Sequence, residues 1–341
     1  MKIGVLGAGS WGTALAVLLA DKGYSVDLWH RRVDLVDEIN LKRVNSKYLP
    51  GVEINKKIMA TTSLESAVAG SEVVVLAVPS HTIRGLCIQI KDFVNCEQYI
   101  VNVSKGLEEG SYLRLSQAIN EELSYNNVYV LSGPSHAEEV ANKLPTTVVV
   151  SGEKKAKCEF LQDLFSTDYF RVYTNPDMIG VELGGALKNI IALGAGISDG
   201  LGYGDNSKAA LMTRGIAEIS RLGKILGAKT ETFAGLTGIG DLIVTCTSMH
   251  SRNRRAGILL GQGESLDNVL AGIGMVVEGI KATKTAYELA GKHDCEMPIT
   301  TGIYKILYEG YDPKDVVNQI MTRRSKHEIE EINSLYYYGW N

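Results

Sequence analysis

A chain of 341 residues is long enough for two domains, each with its own core. Its hydrophobic content of 45% and charged content of 22% are ordinary for a globular protein, and a net charge of −4 gives no global basis for binding nucleic acid or a membrane surface. Five cysteines, odd in number and without a C-x-x-C pair, argue against a disulfide framework and a zinc site and suit a reducing, cytoplasmic compartment.

The chain opens with a short apolar strand, Ile3-Gly4-Val5-Leu6, followed by Gly7-Ala8-Gly9-Ser10-Trp11-Gly12, a G-x-G-x-x-G run. Gly7 permits a tight turn, Gly9 lets a pyrophosphate approach the backbone, and Gly12 lets the next helix pack closely on the strand. An amphipathic helix carrying Ala14, Leu15, Leu18 and Leu19 follows, then a second strand, Val26-Asp27-Leu28-Trp29. This order predicts a dinucleotide site with the phosphates at the helix N-terminus. The apolar stretch ending near Ala20 resembles a signal peptide, but the glycines at 4, 7, 9 and 12 oppose that reading.

After the second strand, where a site for NAD(H) would present an acidic residue to the ribose, stands His30-Arg31-Arg32. Two guanidiniums suit a 2′-phosphate, so NADP(H) is expected to be preferred over NAD(H). Asp34 keeps NAD(H) open, and the arginines also read as solvated residues at a helix start.

From residue 33 to about 175 helix-like and strand-like segments alternate, with strands at Val73–Val78, Tyr99–Val103, Val128–Leu131, Thr147–Val150 and Phe170–Tyr173 and a charged helix near 153–165. Ser104-Lys105-Gly106 follows a strand end, where open α/β sheets bind ligands, although Lys105 also reads as a solvated turn lysine. Gly133-Pro134-Ser135-His136 opens another helix, with Ser135 as its expected N-cap. Pro176 and Asp177 mark a helix start, and beyond them the pattern is helical apart from a loop-rich stretch near 235–240. The expected fold is therefore α/β: an N-terminal, doubly wound, Rossmann-like parallel sheet in residues 1–178 and a C-terminal all-α domain in residues 179–341. The richest apolar run of the second half, residues 190–197, is short and glycine-broken, so no membrane insertion is expected. The tyrosine-rich end, Tyr336 to Asn341, reads as a loosely held terminus.

Chemistry is concentrated in two further stretches. Glu182 to Asn189 is apolar almost throughout, so Lys188 should lose hydration and its pKa should fall towards the range useful for proton transfer. Asn189 is placed to orient that lysine or a substrate hydroxyl. The segment also reads as a core helix with a snorkelling lysine, but its place at the domain junction favours catalysis. The second stretch runs from Gly240-Asp241 to Ser251-Arg252-Asn253-Arg254-Arg255. Ser251 is expected to cap a helix whose N-terminus, with Arg252 and Asn253, forms a second anion site; a basic solvated turn with Asp241 as an ordinary cap is the other reading.

Taken in order, Gly7 to Gly12, Ser104-Lys105-Gly106, Gly133-Pro134-Ser135, Gly185 to Asn189, Gly240-Asp241, Ser251-Arg252-Asn253 and Val276-Val277-Glu278-Gly279 resemble bacterial NAD(P)-dependent glycerol-3-phosphate dehydrogenase over nearly the whole chain. The resemblance implies interconversion of dihydroxyacetone phosphate and sn-glycerol 3-phosphate for glycerophospholipid synthesis, with Lys188 as proton donor or acceptor. It implies that Lys105, Gly133, Ser135, Lys188, Asp241, Ser251, Arg252 and Asn253 surround substrate. Ser10, Trp11, Arg31, Arg32, Lys105, Ala137, Arg252, Val276 and Glu278 would then line the cofactor beside Gly7, Gly9 and Gly12. The chemistry requires no metal. A homodimer is a compatible assembly. A β-hydroxyacid or 6-phosphogluconate-type dehydrogenase shares the expected architecture and a catalytic lysine. A non-catalytic NAD(P)-sensing module is the third reading, and it has no need of the lysine and arginine cluster.

Overall fold

The glycine turn lies at the point where the order of the sheet reverses. In the computed structural model, which describes residues 1–124 and 127–325, eight strands form one sheet: β1 (Lys2–Leu6), β2 (Ser25–Trp29), β3 (Ile58–Thr61), β4 (Val73–Leu76), β5 (Tyr99–Asn102), β6 (Val128–Ser132), β7 (Thr146–Ser151) and β8 (Phe170–Asn175). Their spatial order is β3-β2-β1-β4-β5-β6-β7-β8. The first six follow the doubly wound dinucleotide-binding order, which opens a crevice between the carboxyl ends of β1 and β4.

Alternate residues of the central strands enter different cores. Val73 and Val75 face the cluster built on the Ser10–Asp21 helix, whereas Val74 and Leu76 face the one containing Ile83, Leu86 and Ile90. A strand covered on both faces has no polar alternation, which is why β4 reads as a continuous apolar run.

Three sequence expectations need correction. The sheet is not wholly parallel, because β7 runs antiparallel to β6. The only helix between them, Ala137–Ala141, rises about 7.5 Å, too short to carry the chain back along the sheet for a parallel crossover. By contrast the 11-residue Lys155–Phe165 helix does so, and β8 is parallel to β7. The strand β3 was not anticipated: it is a four-residue edge strand with Met59 exposed, too short to show a period. Residues 235–240 are not a loop but a π-helical turn, Leu236–Gly240, leading into the Asp241–Thr247 helix. The tyrosine-rich terminus lies outside the described residues.

A further core surrounds the 23-residue Met178–Gly200 helix, capped by Asp177, whose carboxylate accepts from the Gly180 amide at 3.0 Å. Its glycines do not break it. Gly184, Gly196 and Gly200 mark places where another main chain presses close, the last two at the crossing with the Arg252–Gly261 helix. A Cβ on Gly257 would lie 2.1 Å from the Leu193 carbonyl oxygen, and one on Gly196 would lie 2.1 Å from that of Arg254. Gly196-x-x-x-Gly200 thus meets Gly257-x-x-x-Gly261, backbone against backbone. The Met178–Gly200 helix is long and apolar enough to cross a membrane, but 83% of its most apolar window is buried within the protein.

Candidate active site

At the nucleotide end the main chain is shaped by the glycines. Gly7 has φ +123°, and a Cβ on Gly12 would lie 1.9 Å from the Gly7 carbonyl oxygen, so the helix can start only against a bare turn. Gly9, the N-cap of that helix, has nothing within 4 Å of its Cβ position, leaving an open approach to the free amides. The turn is braced from below: Asn45 donates to the Ala8 carbonyl at 3.0 Å and to Thr13 Oγ1 at 2.9 Å, and Ser10 Oγ donates to the Tyr48 carbonyl. Trp11 packs on Phe170, and its buried indole N–H has no hydrogen-bond partner. An open glycine cradle with an unmet donor beside it fits a dinucleotide.

Arg31 and Arg32 differ in their freedom. Both are exposed, but Arg32 forms the N-cap of the Val33–Lys42 helix and its guanidinium pairs with Asp34. That pair holds the Asp34 carboxyl below the usual range. Arg32 and Asp34 thus pair with each other at the surface, and Arg31 makes no such pair among the described residues. Replacing both arginines with neutral residues is expected to raise the Michaelis constant for NADPH and leave that for NADH nearly unchanged. Equal losses in steady-state kinetics with the two coenzymes would remove the arginines from 2′-phosphate recognition.

A largely buried polar cluster joins the two domains. Lys188, one turn below Gly184 and Gly185, is buried, and its ammonium pairs with Asp241 Oδ1 and donates to Thr245 Oγ1 at 2.6 Å. Lys105, from the loop after β5, reaches the other oxygen, Asp241 Oδ2, at 2.7 Å and donates to the Gly133 carbonyl at 2.9 Å. Ser135 Oγ lies 3.5 Å from the same ammonium and donates to the Gly133 carbonyl. One carboxylate is therefore shared by two ammonium groups, a cluster of net charge +1 when both are protonated. Burial pulls the Lys188 pKa down to about 8, against the pull of Asp241 and with the push of Lys105. Burial alone would raise the Asp241 pKa, but the two lysines outweigh it and the group stays below the ordinary carboxylate range. The lowered lysine pKa expected from sequence is present.

A third group comes from the Arg252–Gly261 helix. Ser251 caps it, accepting from the Arg254 amide at 3.2 Å. Asn253 donates to Asn189 Oδ1 at 2.9 Å and accepts from the Gly279 amide at 2.8 Å. Arg252 donates to the Val276 carbonyl at 2.9 Å, and burial lowers its pKa while Glu278 and Glu138 oppose the fall. Arg254, by contrast, is engaged with Asp199, so of the basic run it is not a free anion ligand. Glu278 accepts from the amide and the hydroxyl of Ser80, in the turn that follows β4, tying the helical domain to the crevice.

The structure thus brings together Lys105, Gly133, Ser135, Lys188 and Asp241, and places Ser251, Arg252, Asn253, Val276 and Glu278 in a linked second group. Two sequence expectations change. Asn189 bonds Asn253 rather than orienting Lys188, and the N-cap of the Ala137–Ala141 helix is His136, not Ser135. The residue that does orient Lys188 is Thr245, which sequence reasoning missed. Its signal was the i, i+4 spacing from Asp241, which puts both side chains on one face of a helix.

A parallel dinucleotide crevice, joined to a helical domain that sends a buried lysine to its mouth, defines a nicotinamide-dependent dehydrogenase, an oxidoreductase acting on a CH–OH group. Residues 2–158 match the family described as NAD-dependent glycerol-3-phosphate dehydrogenase N-terminus, and residues 177–318 match the corresponding C-terminus. The chain belongs to the NAD-dependent glycerol-3-phosphate dehydrogenase family. It is 56% identical over 327 residues to a glycerol-3-phosphate dehydrogenase [NAD(P)+] of Clostridium perfringens, covering 96% of this chain and 99% of the relative. The same identity holds over 338 residues with the enzyme of that name from Geobacillus kaustophilus, covering 98% of each. Among solved structures, glycerol-3-phosphate dehydrogenase of Coxiella burnetii superposes with a TM-score of 0.91 at 42% identity, covering 94% of this chain and 99% of that one.

Proposed function

We propose that this chain interconverts dihydroxyacetone phosphate and sn-glycerol 3-phosphate with NAD(P)(H), supplying the glycerol backbone of phospholipids. The observation that carries the reading is the buried Lys188–Asp241–Lys105 cluster at the mouth of the nucleotide crevice, beside the capped helix bearing Arg252. When bound, the reduced nicotinamide supplies the hydride to the ketone carbon. Lys188, protonated, stabilises the developing alkoxide and delivers its proton to that oxygen; in the oxidative direction it withdraws the proton. Lys105 and Asp241 hold the donor in place and set its charge. Ser251, Arg252 and Asn253 form the phosphate end, whose contacts orient a group that does not itself react. We divide the chain at residues 178 and 179, where the Asp177 cap starts the lysine-bearing helix. The setting we assign is cytoplasmic, without membrane insertion, which the burial of the long apolar helix supports.

The test is oxidation of NAD(P)H with dihydroxyacetone phosphate beside a panel of β-keto acids. Turnover of the β-keto acids alone would replace this reading with the β-hydroxyacid one. Arg252→Ala is expected to reduce kcat/KM for dihydroxyacetone phosphate on the order of 10- to 150-fold, as hydrogen bonds to charged groups are worth roughly 1.5 to 3 kcal/mol. At saturating NADPH the loss should largely vanish with phosphate-free dihydroxyacetone. Equal losses on both substrates would show that Arg252 does not recognise the phosphate.

A further inference from the structure

His136 has so far only the role of a helix N-cap, yet it stands close enough to the cluster to feel both Lys188 and Lys105. It follows Ser135 at the carboxyl end of β6, and its ring lies 5.7 Å from that of His250, just before the Ser251 cap. Its Nε2 is buried and has no hydrogen-bond partner. A buried polar nitrogen without a partner is uncommon in folded proteins and points to a group that arrives from outside. Burial first, and then Lys188 and Lys105, hold its pKa below the ordinary imidazole value against Glu139 and Glu138, an environment that favours the neutral ring. A neutral imidazole can donate or accept, and that matches a hydroxyl better than it matches a phosphate dianion. In dihydroxyacetone phosphate the carbonyl is met by Lys188 and the phosphate by the Arg252 helix. The polar group still unclaimed is the free hydroxyl.

We propose that His136 Nε2 is a specificity contact for the free hydroxyl of the three-carbon substrate. The inference rests on the function proposed above. Its test compares dihydroxyacetone phosphate with hydroxyacetone phosphate, the same molecule lacking that hydroxyl, in the unaltered enzyme and in His136→Phe, His136→Leu and His136→Gln. Equilibrium binding of NADH is measured for each. His136→Phe should lose about 5- to 150-fold in kcat/KM on dihydroxyacetone phosphate, little on the deoxy compound, and nothing in NADH affinity. His136→Leu serves as a second disrupting variant should the larger ring fail to fold, and His136→Gln, which keeps a polar atom of similar reach, should restore part of the preference. Equal losses on both substrates, or a loss confined to NADH affinity, would overturn the assignment. If the unaltered enzyme reduces neither phosphate, it is the functional reading itself that fails.

Discussion

Lys188→Ala is expected to depress turnover about 10²- to 10⁴-fold in both directions, the usual contribution of a positioned general acid or base, while coenzyme binding stays almost intact. The lysine is buried and bonded to Asp241 and Thr245, not to the glycine turn, so its loss removes the proton donor without touching the glycine cradle. Retention of more than half the normal turnover at saturating substrate would sink the role. The same residue sets a pH signature. With its pKa drawn to about 8, the fraction able to donate falls as pH rises through that value, so ketone reduction should decline there. Oxidation, which needs the neutral amine, should rise over the same interval. Turnover in both directions, measured across pH 6 to 10 at saturating coenzyme, checks the opposite signs.

Asp241→Asn should have an effect of similar size but of a different kind. The carboxylate is buried and serves as counter-ion to two ammonium groups, one of them also buried. Removing one partner of a buried ionic group leaves uncompensated charge, and such changes destabilise by about 3 to 5 kcal/mol. Lys188 would then lose the main influence holding its pKa up, so the decline of ketone reduction should move to lower pH. Chemical denaturation and the pH dependence of kcat measure the two effects separately. Unchanged stability together with an unchanged pH profile would mean that Asp241 does not hold the lysines in solution.

How legible this was in the sequence depends on how local each signal is. The glycine turn, its helix and the strands β1, β2 and β4 are specified by residues within thirty positions of one another or by an unbroken apolar run, and the structure has them. The Ser251 and Asp177 caps were readable for the same reason, since a cap is a matter of three or four residues. The direction of β7 was not readable, because it depends on whether five helical residues suffice to recross a sheet. Nor was the shared carboxylate: Asp241 meets Lys105 and Lys188 across 136 and 53 positions, and nothing near Asp241 distinguishes a cap from a counter-ion. Arg32 shows the converse. Its composition suits a phosphate, but the aspartate two residues on already holds it.

The glycine-to-glycine crossing of the Met178–Gly200 and Arg252–Gly261 helices bears on substrate length. No side chain stands between the two main chains, so the helices have neither rotamers nor soft packing with which to slide past each other. Lys188 rides on one and Arg252 on the other. In the proposed reaction the first meets the carbonyl oxygen and the second the phosphate, so the gap between reacting atom and anchor starts from a fixed main-chain spacing, and Asp241 and the Val276 carbonyl hold the two side chains that span the rest. Such a pair of helices behaves as a caliper with locked arms: a closing motion towards the nucleotide domain would carry both together and keep their main-chain spacing.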